Sequence, residues 1–198
     1  PSLAVTYVVD SRDNLMDATR GRQRTFTVMM APEILGADTG FTKLYFQEQH
    51  NYRIGSHLVA ALSLRLGWIL NLSSSVDVPI SEKFFAGGSS TLRAYETERA
   101  GPLDPVTKEP LGGNALIIGN AELRFPIFRL LHGALFYDVG NVFTDMSSVR
   151  WPDVAHIVGF GFRINTPVVP IRLDFGLSLK DIPNDKNNQF YITIGNPF

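Results

Sequence analysis

The sequence predicts an all-β fold, an antiparallel up-and-down transmembrane β-barrel, with about nine strands of a larger barrel in residues 1–198. Three observations carry that expectation. Apolar and polar residues alternate with period two in segment after segment, the polar faces are crowded with charges and glycines, and no run of about 18 apolar residues exists that would make a membrane-spanning helix. A barrel strand shows only every second residue to lipid, so it needs no such run.

In chain order, the first strand runs from Leu3 to Asp10, with Leu3, Val5, Tyr7 and Val9 on one face. Thr25 to Ala31 and Phe41 to His50 follow, the second with Glu48 interrupting its apolar side. Leu58, Ala60, Leu62, Leu64, Leu66 and Trp68 then oppose His57, Ser63, Arg65 and Gly67. Asn114 to Phe125 and Leu131 to Phe143 read as two more strands. Val158, Phe160, Phe162 and Ile164 alternate with Gly159, Gly161, Arg163 and Asn165; Ile171, Leu173, Phe175, Leu177 and Leu179 alternate with Arg172, Asp174, Gly176, Ser178 and Lys180. At the end, Phe190, Ile192, Ile194 and Phe198 share one face, and Tyr191, Thr193 and Gly195 the other. Turn-forming stretches at Asp10 to Arg22, Gly36 to Gly40 and Ile182 to Asn188 separate strands, and no amphipathic helix of useful length occurs. Soluble sandwiches alternate too. The barrel is favoured because Arg65, Glu122, Arg124, Asp138, Arg163, Arg172, Asp174 and Lys180 suit a wet, crowded lumen, while Trp68, Trp151 and several Tyr suit interfacial girdles.

Composition removes several functions. Lys+Arg 18 against Asp+Glu 19 leaves a net charge of -1, so there is no electrostatic case for nucleic acid. The absence of cysteine excludes disulfide frameworks, thiolate metal sites and Cys nucleophiles. His50, His57, His132 and His156 lie on separate segments, with His57 and His132 read as lumen-facing, and there is no Gly-x-Ser-x-Gly elbow. No His or carboxylate cluster has metal-ligand spacing, and Gly87-Gly88 lacks the Lys-Ser/Thr of a phosphate loop. The sequence therefore predicts no enzyme, metal or cofactor. Pro1 leads directly into a strand with no signal peptide before it, and reads as a cut point in a longer chain.

Residues 71–113 differ in kind: a long stretch with Pro79, Pro102, Pro105 and Pro110 and paired glycines at Gly87-Gly88 and Gly112-Gly113. Loops of this length inside a compact fold are uncommon unless functional. Asp104 to Glu109 reads as its solvated surface.

Phe84-Phe85-Ala86-Gly87-Gly88-Ser89-Ser90-Thr91-Leu92-Arg93-Ala94-Tyr95, then Gly101-Pro102 and Gly112-Gly113-Asn114, resembles the long extracellular loop of the BamA/TamA superfamily, or bacterial surface antigen family. The resemblance continues in order through Asn120 to Pro126, through Phe136-Tyr137-Asp138-Val139-Gly140-Asn141-Val142-Phe143, through Gly159 to Asp174 with Thr166-Pro167, and into the terminal strand; Asp10 to Asn14 with Arg20-Gly21 is similar to a further family turn. It covers nearly the whole chain. The family usually has Gly where this chain has Ala94, which makes positive φ there less favourable.

The resemblance implies a bacterial outer-membrane location and a loop that folds inward, with Leu92, Arg93, Ala94 and Tyr95 at its tip. Strand parity turns Glu122 and Asp138 to the lumen, where they are the expected partners of Arg93 in a structural lock. Phe190, Ile192, Ile194 and Phe198 are similar to the family's C-terminal assembly signal. Implied partners are outer-membrane lipid, client outer-membrane or secreted polypeptides, and accessory assembly subunits. The implied function is that of an outer-membrane protein assembly factor, inserting or translocating β-barrel or other proteins; a two-partner secretion transporter and a passive surface-antigen barrel are the alternatives. The family also implies further strands and POTRA repeats N-terminal to this segment.

Overall fold

A computed structural model describes residues 1–15, 17–33, 39–73, 76–165, 169–182 and 186–194. Among these, nine strands follow one another: β1 (Leu3–Asp10), β2 (Gly21–Ala31), β3 (Phe41–Ile54), β4 (Leu58–Asn71), β5 (Ala115–Phe128), β6 (Leu131–Phe143), β7 (Ala155–Asn165), β8 (Pro170–Ser178) and β9 (Asn188–Ile194). They form one antiparallel sheet in sequence order. Short connections, at 55–57 and 129–130, lie at one edge; the longer 72–114 and 144–154 lie at the other.

The closed barrel is overturned. Among the described residues β1 pairs with β2 alone and β9 with β8 alone, so the sheet is open. Closure requires the end strands to meet in register with a full hydrogen-bond ladder. Alternation reports which face each residue occupies and carries no information on whether two distant edges meet.

Strand ends also moved. β3 runs on to Ile54 because Glu48 does not interrupt it: Glu48 pairs with Arg24 on the neighbouring strand and lies 3.1 Å from His50 Nε2. A tight turn then joins β3 to β4 with Gly55 at φ 62, a backbone region that favours glycine. His57 sits exposed in that turn, bordering the hollow that Arg124, His132 and Arg163 line.

Burial is inverted relative to a water-soluble sheet. Arg93, Asp138 and Asp174 are 1, 0 and 0 % exposed, whereas Phe190, Ile192 and Ile194 are 56, 66 and 75 % exposed. The outward face is apolar on every strand from β4 to β9, which suits hydrocarbon and not water. The inner face packs against the 72–114 connection: Leu92 and Ala94 join Ile118, Phe136 and Ile157 in the main apolar cluster. The core among the described residues is thus one curled sheet wrapped on its own loop.

Curl is visible in reach. Glu122 on β5 and Arg172 on β8 are three strands apart, about 14 Å on a flat sheet. Their side chains approach to 3.8 Å. At the short-turn edge the β1–β2 connection folds inward, where Asp17 and the Ala18 carbonyl accept hydrogen bonds from Arg124 at 2.8 and 2.9 Å.

Candidate functional site

The loop is built as a chain of small pairings before it reaches the inner face. Phe84 and Gly113 exchange backbone hydrogen bonds of 2.9 and 3.0 Å, Ala100 donates to Ala86 at 2.8 Å, and Leu103 bridges Pro110. At the tip the Thr91 hydroxyl accepts from the Gly87 N–H at 2.9 Å and donates to the Gly87 carbonyl at 3.0 Å, while Gly88 N–H donates to the Tyr95 carbonyl at 3.1 Å. Gly87 and Gly88 take φ 112 and 97. These contacts make the tip a closed turn and fix the direction of Arg93. Ala94, standing where the resemblance puts glycine, is not among the positive-φ residues and is fully buried.

Arg93 enters the inner face at β5 and β6. Its Nε and Nη2 donate to the two oxygens of Asp138 at 2.8 and 2.7 Å, a two-point fork, and Nη1 donates to Glu122 Oε2 at 2.7 Å. The Arg93 backbone N–H also donates to Asp138, at 3.2 Å. The Phe136 ring lies flat beneath, 3.5 Å from Cζ, so the cation is held by two carboxylates at its rim and an aromatic face below. The sequence-selected Leu92, Arg93, Ala94, Glu122 and Asp138 are therefore brought together. Tyr95 is part-buried and its carbonyl accepts from the Tyr191 hydroxyl on β9. Phe190, Ile192 and Ile194 are elsewhere, on the outward face of β9, and Phe198 lies outside the described residues.

The site extends past the residues that the sequence singled out. Arg163 bridges Glu122 and Asp174 at 2.9 and 2.7 Å, and Arg172 reaches Asp174 at 3.0 Å. Asn120 donates to Asp138 at 2.9 Å and to the Thr91 carbonyl at 2.6 Å, and accepts from Arg65 at 2.8 Å. Four buried arginines thus face three buried carboxylates in one network spanning β4 to β8. Parity alone put Arg65, Asn120, Arg163, Arg172 and Asp174 on the polar face; only register and curl make them neighbours.

Glycine supplies room that parity does not reveal. A Cβ at Gly176 would stand 2.3 Å from the Arg93 carbonyl oxygen, and one at Gly161 would stand 2.2 Å from Asp174 Oδ1. Gly159 likewise yields to the Phe136 ring. Gly159, Gly161 and Gly176 are where the loop and its network seat.

Away from the network the loop surface is stabilised locally. The backbone N–H groups of Thr107 and Val106 hold the Asp104 carboxyl below its ordinary range, and Lys83 does the same for Asp77 through a 2.7 Å hydrogen bond. Among the described residues no group of His, Cys, Asp or Glu is arranged to hold a metal ion. The arrangement holds the loop tip against the inner face through charge-assisted hydrogen bonds.

Residues 2–198 match the model of the Omp85 superfamily domain. A SAM50-like protein of Schizosaccharomyces pombe is 30% identical over 204 residues, covering 93% of this chain and 41% of that protein. Outer membrane protein assembly factor BamA of Nitratidesulfovibrio vulgaris is 26% identical over 181 residues, covering 89% of this chain and 23% of its own length. The crystal structure of BamA from Haemophilus ducreyi lacking POTRA domains 1-3 superposes with a TM-score of 0.80 over 98% of this chain and 42% of that one, at 18% identity, which speaks to the fold. The chain spans less than half the length of each of these relatives. With a family model matched along almost its entire length, this chain belongs to the Omp85 superfamily.

Proposed function

We propose that this chain is the C-terminal part of the membrane domain of an outer-membrane protein assembly factor, in which residues 71–113 form an extracellular loop folded inward and locked by Arg93. The location is the bacterial outer membrane, and the chain is not an enzyme. Relatives whose names state a role are assembly factors and a sorting machinery subunit, which supports assembly for this chain and leaves the client undefined.

The observation that carries the reading is the Arg93 fork on Asp138 with its third hydrogen bond to Glu122. Ordering a long loop costs conformational entropy, and a charge-assisted anchor at its tip offsets that cost. With the loop seated, Leu92, Ala94 and Arg93 occupy the inner face of this part of the sheet. Among the described residues β9 pairs with β8. In this reading its other side would take an incoming strand by backbone hydrogen bonds, so that insertion, and not a two-partner type of translocation through the interior, is the activity proposed.

The test ties the loop down. Cysteines at Thr91 and Asn120, whose backbone oxygen and side-chain nitrogen are 2.6 Å apart, would tether the tip to β5 in the full-length protein. Assembly of a client barrel in vesicles should survive oxidation of that pair. Loss of assembly on oxidation and recovery on reduction would instead assign the interior as the route.

A further inference from the structure

The outward face carries a feature that neither the loop nor the network uses. β3 outruns β2: the β2–β3 ladder stops at Gly21 opposite Asn51, while β3 continues to Ile54 against β4. Beside the backbone left without a strand on that side is a notch lined on its outward side by Arg20, Arg22, His50, Tyr52 and Ser11; Arg53, also at its rim, shares the inward parity of Asn51 and borders the inner hollow beside Arg124 and His132. Among the described residues no ion pair ties Arg20, Arg22 or Arg53 to a carboxylate; Arg53 donates only to the Ser56 carbonyl, at 3.1 Å. The nearby acids are engaged elsewhere, Asp10 by Arg12, Asp13 by the Thr19 hydroxyl and the Thr19 and Arg20 amides, and Glu48 by Arg24 and His50.

His50 and Tyr52, hydrogen-bonded to each other, also border a second depression farther into the apolar face. Its floor is shallow because Gly119 and Ala121 stand between Leu62 and Leu64 on one side and Tyr137 and Val139 on the other. The two hollows are neighbours with His50 and Tyr52 lining both: the Arg20 and Arg22 guanidiniums at the short-turn edge, then a mainly apolar channel that Glu48, paired with Arg24, borders.

We propose that they form one site for an anionic glycerophospholipid of the surrounding leaflet, with its phosphate in the notch and one acyl chain over Gly119 and Ala121. The two guanidiniums of Arg20 and Arg22 suit phosphate oxygens, and near a membrane surface each basic residue adds attraction for an anionic head group. A soluble anion would use the notch and leave the channel empty; a neutral lipid would use the channel and leave two charges unanswered. The inference rests on the outward face meeting lipid and is independent of the assembly activity.

The experiment is native mass spectrometry of the detergent-released full-length protein, equilibrated with equimolar dioleoyl phosphatidylglycerol and dioleoyl phosphatidylcholine. The wild type should retain the anionic lipid in preference. Arg20→Gln and Arg22→Gln together should lower that retention roughly tenfold or more. The double Lys variant should keep most of it. Ala121→Phe, which fills the channel, should weaken retention of the dioleoyl lipid but leave any binding of soluble glycerol phosphate unchanged. Heat-dependent gel mobility, followed in parallel, separates loss of the site from loss of the fold, and the single Gln variants replace the double if it fails that check. Equal retention of the two lipids by the wild type, or undiminished retention in folded Gln variants, overturns the proposal. An unaltered client-assembly rate in those variants leaves the assembly reading standing whichever way the lipid result falls.

Discussion

Gly176 lies directly under Arg93: a Cβ built there would stand 2.3 Å from the Arg93 carbonyl oxygen and 3.1 Å from the Ala94 nitrogen. These are backbone atoms of the loop, so they cannot swing aside as a side-chain tip can. Gly176→Ala must lift the loop tip off β8 while leaving every ionic partner of Arg93 in place. The expected outcome is faster protease cleavage between residues 88 and 100 in intact membranes, with β8 still assembled. A loop as resistant as in the wild type would show that the seat tolerates a methyl group.

The β1–β2 turn contains a carboxylate with its own pH window. Burial alone would raise the pKa of Asp13, but hydrogen bonds from the Thr19 hydroxyl and the Arg20 and Thr19 amides hold it down at about 2. A folded pKa below the unfolded one gives stability that is complete above the ordinary value of 3.8 and is lost as pH falls through about 2. Hydrogen exchange of the Thr19 and Arg20 amides should therefore accelerate, beyond its intrinsic pH dependence, between those limits. Asp13→Asn should remove the pH step. Because Asp17 and Ala18 of the same turn hold Arg124, the variant should also loosen Arg124 from Asn51.

Much of this architecture was legible in the residues, for a definite reason. Period two is a local property, so Leu173, Phe175, Phe160 and Phe162 are assigned to one face, and Arg172, Asp174 and Arg163 to the other, without knowledge of any neighbour. The strand limits at Glu48 and the connectivity of the sheet's two edges depend on partners across strands, and there the reading failed. The same division holds in the site. Arg93, Glu122 and Asp138 were selected by a resemblance together with parity, but Arg163 and Arg172 reach Glu122 only because the sheet curls. Gly161 and Gly176 carry no side chain to mark them at all.

Removal of the Arg93 side chain should free the loop. Arg93→Ala leaves Asp138 and Glu122 buried with one fewer cation, and breaking such a pair from one side typically costs about 3–5 kcal/mol. Arg93→Lys restores a charge but not the fork on Asp138, nor the flat stacking on Phe136. Protease accessibility of the loop should rank Ala above Lys above wild type. Lys equal to wild type would mean that net charge, and not planar geometry, holds the tip.

Glu122 and Asp138 should fail differently, which separates the lock from the network around it. Asp138 spends both oxygens on Arg93 and takes one further hydrogen bond, from Asn120, whereas Glu122 Oε2 is shared by Arg93 and Arg163 with Arg172 at 3.8 Å. Asp138→Asn should therefore release the loop with modest loss of sheet stability. Glu122→Gln leaves the Arg93 fork on Asp138 intact, but it removes the carboxylate that offsets four arginines, Arg93, Arg124, Arg163 and Arg172, so their mutual repulsion acts across the loop tip, β5, β7 and β8. Its larger effect should be on thermal unfolding of the assembled protein, with the loop less exposed than in Asp138→Asn. Adding Arg163→Gln to Glu122→Gln should restore part of the lost stability, because the second change removes one of the cations that the first left unbalanced. Purely additive losses in the double variant, or a loop freed equally by both single changes, would show that Glu122 belongs to the lock alone and does not join β7 and β8 to it.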